Sequence, residues 1–453
     1  MLAAFWNTVK IKELRSRLLF TAGIIVLVRI AANIPCPGVD PIALKEYFVQ
    51  FQSNNAGGMF MGMFDLFSGG ALQKFALATL GIMPYITASI IMQLLTPVLP
   101  SLEKLSREGD SGRQKINQYT RYLTVLVCVV QGTIAATTML NPGKIGLPTP
   151  SSSLIVGSQS GFVVMTVIIL TCTTMILMWL GEQVTERGIG NGASIIITIN
   201  IIARMPAAVL QLVDMALNQS TASGTTFKPV QLLILLLVFA AVTAATLMLT
   251  QGYRRVPIQM VRKTIGNQSA QGSSTYMPLK VNFAGVMPII FAGAILMFPS
   301  TLFRWLKWYT MASTFAYGST GYIIVYGLMI LAFSYFWVAN QFNPIQISEN
   351  LKQQGAYIPG IRPGKPTADF LDNTMTRVTF AGSIFLTALA VFPMVLYNSF
   401  HIPFMVASFF GGTSLLIMVG VVLDTMSQLE SHLTMRNYEG FLKRGRLRNR
   451  TGK

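Results

Sequence analysis

The chain has 453 residues, of which 11% are charged and 52% hydrophobic, and its mean hydropathy is +0.55. Ordinary soluble domains carry about 25% charged residues, so a soluble globular protein and a disordered chain are both excluded. The net charge of +18 invites nucleic acid as a partner, unless the bases are gathered in loops on one side of a membrane.

Ten runs in chain order approach the roughly 20 apolar residues that a bilayer-crossing helix needs. They lie at 18–34, 75–95, 122–140, 162–181, 193–212, 231–250, 283–302, 322–341, 378–397 and 403–424. The first follows Lys10, Lys12, Arg15 and Arg17, as a signal peptide would. Arg29 interrupts it, and Pro35 and Pro37 stand where small cleavage-site residues belong, so it reads as a retained span. With the N-terminus inside, twenty-six of the 34 Lys and Arg fall on the inner side, mostly at 96–121, 251–282, 342–377 and after Asp424. The outer side holds only Lys45, Lys74, Lys144, Arg204, Lys228, Arg304 and Lys307. Both termini are thus expected in the cytoplasm, and the charge excess needs no nucleic acid to explain it.

Ten spans divide as five plus five. The first half would cover 1–213 and the second 230–424, joined by a polar external hinge at 214–229 and followed by a basic tail at 425–453. An odd number of spans per half forces the halves into inverted orientation.

The spans are nearly free of charge, apart from Arg29, Arg204 and the terminal Asp424, which disfavours an ion-coupled or proton-relay transporter. Thr79, Thr87, Gln93, Gln131 and Thr171 read as interhelical hydrogen-bonding groups. The stretch at 59–72, MFMGMFDLFSGGAL, is too short to span and too apolar for an exposed loop. It fits either a movable plug folding into a cavity or a packed re-entrant helix. Two long inner loops, 251–282 and 342–377, concentrate Arg254, Arg255, Arg262, Lys263 and, within the turn-rich Ile358–Gly364 stretch, Arg362. Such bases suit phosphates or acidic protein surfaces.

No catalytic machinery is visible. Cys36, Cys128 and Cys172 are odd in number and widely spaced, His401 and His432 are too few for a zinc site, and no phosphate-binding glycine loop occurs. The expectation is a non-enzyme without metal or cofactor; the competing reading is a ten-span secondary transporter of small solutes.

Several motifs together resemble the SecY family, the pore subunits of bacterial protein-translocation channels. They are IPCPGVD at 34–40, FSGGAL at 67–72, GIMPYI at 81–86, GDSGR at 109–113, WLGEQVTERGIGN at 179–191, PGIRPG at 359–364 and FGGTSLL at 410–416. The resemblance implies an all-α polytopic membrane protein whose ten transmembrane helices form two inverted five-helix halves around a central hourglass pore. It implies a pore ring of Ile82, Ile86, Ala193, Ile197, Ile290 and Ile417, in which Ala193 is smaller than the family's usual residue, so that either the ring is looser on that side or a neighbour such as Ile196 compensates. It implies a plug including Met61, Met63, Phe64, Leu66, Phe67, Gly69 and Gly70, and a lateral gate between the second and seventh spans, near Thr87, Val286 and Phe298. The implied function is passage of unfolded polypeptides across the bacterial plasma (inner) membrane and sideways release of membrane segments into the lipid bilayer. The implied partners are the small subunits SecE and SecG, the motor ATPase SecA, the ribosome through its RNA phosphates, and signal sequences and nascent chains. Arg254, Arg255, Arg262, Lys263 and Arg362 would serve the motor and the ribosome.

Overall fold

A computed structural model describes residues 11–52, 65, 67–142, 154–155, 158–218, 229–260, 264–265, 268–269, 274–306, 308–315, 318–400 and 404–444. Apolar runs form helices because a helix satisfies its backbone polar groups within one segment, which a bilayer demands. In chain order they are α1 (Lys12–Ala31), α2 (Pro41–Gln52), α3 (Met83–Val98), α4 (Pro100–Arg107), α5 (Asp110–Leu140), α6 (Gln159–Arg187), α7 (Gly192–Asn218) and α8 (Pro229–Gln251). After a β-structured segment come α9 (Met287–Trp305), α10 (Tyr309–Thr314), α11 (Thr320–Gln341), α12 (Pro344–Gln353), α13 (Lys365–Phe400), α14 (Phe404–Phe410) and α15 (Gly412–Arg444).

Each of the ten expected spans falls on a helix, yet the count of ten does not follow. Among the described residues seven helices are long and apolar enough to cross a bilayer, or eight if Met83–Val98 and Pro100–Ser106, bent by 102° at their break, are one span. The helix that holds the first expected span, α1, begins before it and carries Lys12, Glu13, Arg15, Arg17 and Arg29. The second starts late, at Met83 rather than 75, because residues 75–78 are committed elsewhere. The Cys36 and Leu77 amides donate to the Phe75 and Ile34 carbonyls (both 2.9 Å), Pro35 bridges Ala76, and Phe75 and Gly81 turn through φ of 42° and 56°. The IPCPGVD stretch thereby seats Cys36 in a core with Phe75, Leu44 and Phe162, while the Asp40 carboxylate accepts from the Ile42 amide at the start of α2.

The described residues fall into two compact units. One draws on Met1–Leu94, Lys104–Pro206 and Ile417–Lys453, the other on Leu95–Glu103 and Ala207–Leu416. Within the first, α5 and α6 pack along each other, with α1 also against α6. Arg121 donates to both oxygens of Glu182 (3.2 and 2.8 Å) across the α5–α6 pair. The WLGEQVTERGIGN stretch makes the tight turn from α6 into α7. The Thr185 hydroxyl donates to the Gly181 carbonyl (3.1 Å) and accepts from the Gly192 amide (2.9 Å), and Asn191 caps α7 through the Ser194 amide. Ile189 packs with Leu14 and Leu429, and the Gly190 amide donates to Gln428 on α15 (2.9 Å).

A Cβ at Gly192 would collide with the Gly181 carbonyl oxygen, which is backbone and cannot swing aside. Gly192→Ala is expected to destabilise the protein by about 1–3 kcal/mol, the usual cost of overpacking. Thermal unfolding in detergent checks this; an unchanged midpoint would mean that α6 and α7 have room to part.

The second unit corrects the all-α expectation. The two inner loops, read separately as irregular, join in one antiparallel sheet of order β4-β1-β5. Here β1 is Tyr253–Met260, β4 is Ser274–Lys280 and β5 is Ala356–Tyr357; β2 (Thr264–Ile265) and β3 (Gln268–Ser269) form a separate small ladder. Strand β1 alternates, burying Val256 and Ile258 and exposing Arg255, Pro257 and Gln259. It runs against β4 from Tyr253↔Lys280 to Gln259↔Ser274, while β5 reaches only Gln259 and Met260. Beyond that short contact β1 is an edge, a position where Pro257 is tolerated. Helix α11 packs on α9 and α13, with Phe291 stacked on Phe333 at 5.4 Å. In the FGGTSLL stretch, a Cβ on Gly411 would overlap the Pro393 ring of α13.

Candidate functional site

The Phe67–Leu72 end of the apolar stretch lies in the first unit, clamped by side chains from α1 and α7. Asp65, 3% exposed, forms an ion pair with Arg204 of α7. Arg29 of α1 donates through both terminal nitrogens to the Gly69 carbonyl (3.2 Å each), and Asn200 of α7 donates to the Phe67 carbonyl (2.9 Å). Arg29 also donates to the Asn200 side-chain amide oxygen, Oδ1 (3.4 Å). The segment is closed on itself as well: the Gly70 amide donates to the Asp65 carbonyl (3.0 Å), and the Ser68 hydroxyl accepts from Leu72 (3.2 Å). Gly69 (φ +66°) and Gly70 (φ +93°) sit where a Cβ would meet the Arg29 and Arg204 guanidinium groups, so both conformation and space require glycine there. Of the other proposed plug residues, Met61, Met63, Phe64 and Leu66 lie outside the described residues.

The expected ring residues occupy helix starts. Ile82 and Ile86 are one turn apart at the head of α3, tied by the Ile86 amide to the Ile82 carbonyl (3.2 Å) and exposed by only 2% and 8%. Ala193 and Ile197 repeat that spacing on α7, half-buried and buried. Ile417 on α15 is buried; Ile290, half-buried, stands on α9 in the second unit. Ile196, the neighbour named beside the small Ala193, is buried, with its side chain close to Gly181 of α6.

Three of the groups read as interhelical bond locally instead. The Thr79 and Thr87 hydroxyls donate to carbonyls nearby in the chain, Ala76 (2.6 Å) and Met83 (3.0 Å), and Gln93 donates to Ser89 on its own helix (3.3 Å). Short hydroxyl side chains satisfy themselves locally at lower entropic cost than by reaching a second helix. Val286 is half-buried just before α9; the Phe298 side chain is outside the described set.

The second unit holds the described bases among the expected docking residues. Arg254, Arg255 and Arg362 are all exposed. Arg255 lies over the rings of Tyr253 and Tyr276 at 5.3 and 4.9 Å and donates to the Tyr253 hydroxyl (3.0 Å), a bond that raises its pKa above the ordinary guanidinium value. Arg362 sits in a turn braced from below: its carbonyl accepts from the Thr367 hydroxyl (2.8 Å), and the Gly364 carbonyl accepts from Ser348 (2.6 Å). Arg262 and Lys263 lie outside the described residues. The tyrosine pair around Arg255 was missed from sequence because Tyr276 comes diagonal to Arg255 only through the β1–β4 register, which sets Arg255 opposite Pro278.

A family model described as SecY matches residues 76–426. The chain belongs to the SecY family. It is 41% identical over 462 residues to the protein translocase subunit SecY of Chlamydia muridarum, covering 99% of this chain and 100% of that one. A solved SecY channel, described for a plug domain that stabilises the closed state and maintains a membrane seal, aligns over 92% of this chain and 91% of its own (TM-score 0.56, 18% identity). The Sec61 channel of a canine ribosome–channel complex aligns over the same shares (TM-score 0.53, 17% identity). At such identities these two establish the fold alone. As a SecY family member the chain is a multi-pass membrane protein and a translocase channel subunit, not an enzyme. The solute-transporter alternative finds no support among these relatives.

Proposed function

We propose that this chain forms the path by which unfolded polypeptides cross the bacterial plasma membrane, through ten spans arranged as two inverted halves, 1–213 and 230–424, hinged at 214–229. Both termini and the tail at 425–453 face the cytoplasm. Ile82, Ile86, Ala193, Ile197, Ile290 and Ile417 line the constriction. Branched apolar side chains offer no hydrogen bonds, so they grip no particular sequence; closed, they shed water and block ions, and open, they pack round any backbone. Residues 59–72 are the plug. Membrane segments leave sideways between the second and seventh spans, past Thr87, Val286 and Phe298. SecE and SecG are the companion subunits, and SecA or a ribosome docks on Arg254, Arg255, Arg262, Lys263 and Arg362.

The observation that carries this reading is the pairing of near-chargeless spans with two apolar pairs one turn apart, the buried Ile82/Ile86 and the half-buried Ala193 with buried Ile197, in the same unit as the clamped 67–72 segment. Cysteines placed singly at Ile82 and Ile417 are expected to crosslink to a polypeptide arrested in transit, while a cysteine at the exposed Ile168 is not. Equal crosslinking at all three positions, or none, would remove the constriction from these residues.

A further inference from the structure

Arg29 and Arg204 are the two guanidinium groups set inside apolar spans, and both are spent on one short segment. Burying a charge in a span is costly, and such groups persist where they pair or serve a function. Arg204 pairs with Asp65, an acid within an otherwise apolar stretch. Arg29 and Asn200 hold the Gly69 and Phe67 carbonyls. The partners are 40 to 171 residues apart in the chain, so none of these bonds is a local by-product of helix geometry. The glycines complete the fit, since side chains at positions 69 and 70 would push the two guanidinium groups away.

We propose that Asp65, Arg204, Arg29 and Asn200 form a polar latch that holds the plug shut, with the three α1 and α7 residues acting as its positioning groups. The latch rests on reading 59–72 as a plug. Its physics differs from that of a greasy stopper. A charge pair is strong where water is excluded and weak where water enters, by a factor that follows the local dielectric. The closed state therefore reinforces itself. Water that accompanies an entering polypeptide weakens the Asp65–Arg204 attraction and offers hydrogen bonds to Arg29 and Asn200 in place of the plug carbonyls. Release needs no dedicated trigger, and reclosure follows once the path dries.

The test uses the full chain in its complex with its companion subunits, in planar bilayers. Asp65→Asn and Arg204→Gln are each expected to raise the resting ion leak about tenfold or more, because each leaves its partner uncompensated. The double variant is expected to leak no more than the worse single one, since groups that work as one unit are non-additive. Asn200→Ala, which loses one carbonyl contact and no charge, is expected to give a smaller rise. A second readout follows the plug directly. In a background with the three native cysteines replaced by alanine, Ser68→Cys is expected to react faster with a membrane-impermeant maleimide when Asp65→Asn is added. Wild-type leak and labelling in both single variants would overturn the latch, as would single effects that multiply in the double. Deletion of 59–72 is measured alongside. If the deletion leaks while Asp65→Asn and Arg204→Gln seal, the latch is wrong and the plug stands; if none leaks, the plug reading falls and takes the latch with it.

Discussion

Channels lacking residues 59–72 are expected to conduct ions at rest, where the intact channel is sealed. The Phe67–Leu72 portion is held by Arg29, Asn200 and, through Asp65, by Arg204. If it is the proposed plug, deleting it removes an apolar stopper and leaves only the proposed constriction to exclude ions. Each ~1.4 kcal/mol taken off a barrier speeds passage about tenfold. Letting an ion keep its hydration shell saves several times that amount, so the rise should span orders of magnitude. The structure adds a direction. The deletion takes away Asp65 and the carbonyls of Phe67 and Gly69, stranding two guanidinium groups with no negative counterpart from the plug. Rings of positive charge favour anions, so the leak should select chloride over potassium, read as a shifted reversal potential in a KCl gradient. Unchanged conductance would dismiss the plug; a cation-selective leak would dismiss the stranded arginines as its lining.

Helix positions were legible because a bilayer leaves the backbone few choices, and runs such as 162–181 and 322–341 can be little else. What escaped was tertiary. The late start of α3 depends on residues 75–78 pairing with 31–36, and nothing in an apolar run from 75 to 95 announces that partner. The sheet escaped because β5 comes from a second loop, 96 to 98 residues beyond its partners on β1, and because proline is disfavoured within a strand, as Pro257 would be. The alternation at Val256 and Ile258 was present but too short to outweigh it.

The site was legible unevenly. Isoleucines at 82, 86, 197, 290 and 417 look like any core isoleucines, and only the family resemblance singled them out. The clamp was half visible: Arg29 and Arg204 stood out as charges within apolar runs, while Asp65, the one acid in 59–72, drew no reading because a lone acid in the sequence does not name its partner. Asn200 gave no such signal, since a lone amide in a span has several local uses.

Replacing Arg362 with Glu is expected to slow motor- or ribosome-driven translocation while leaving the protein folded. The side chain is exposed and makes no hydrogen bond or ion pair among the described residues. What shapes the turn is backbone: Thr367 on the Arg362 carbonyl, Ser348 on the Gly364 carbonyl, the Ile361 amide on Ile358 (3.1 Å), and positive φ at Gly360 and Gly364. Charge reversal leaves all of these intact, so stability should move by no more than about 0.5 kcal/mol. A partner surface rich in phosphate or carboxylate would lose one attraction and gain one repulsion. Translocation into vesicles should therefore fall several-fold at low salt, with a smaller loss at high salt, because screening weakens the lost contact and the new repulsion alike. Arg255 offers the internal comparison: Tyr253 and Tyr276 already engage its guanidinium, so Arg255→Glu also disrupts the sheet's surface packing, and its loss should persist in high salt. Wild-type translocation by Arg362→Glu would remove the turn from the docking surface. A loss insensitive to salt would mean that the contact works by shape rather than charge.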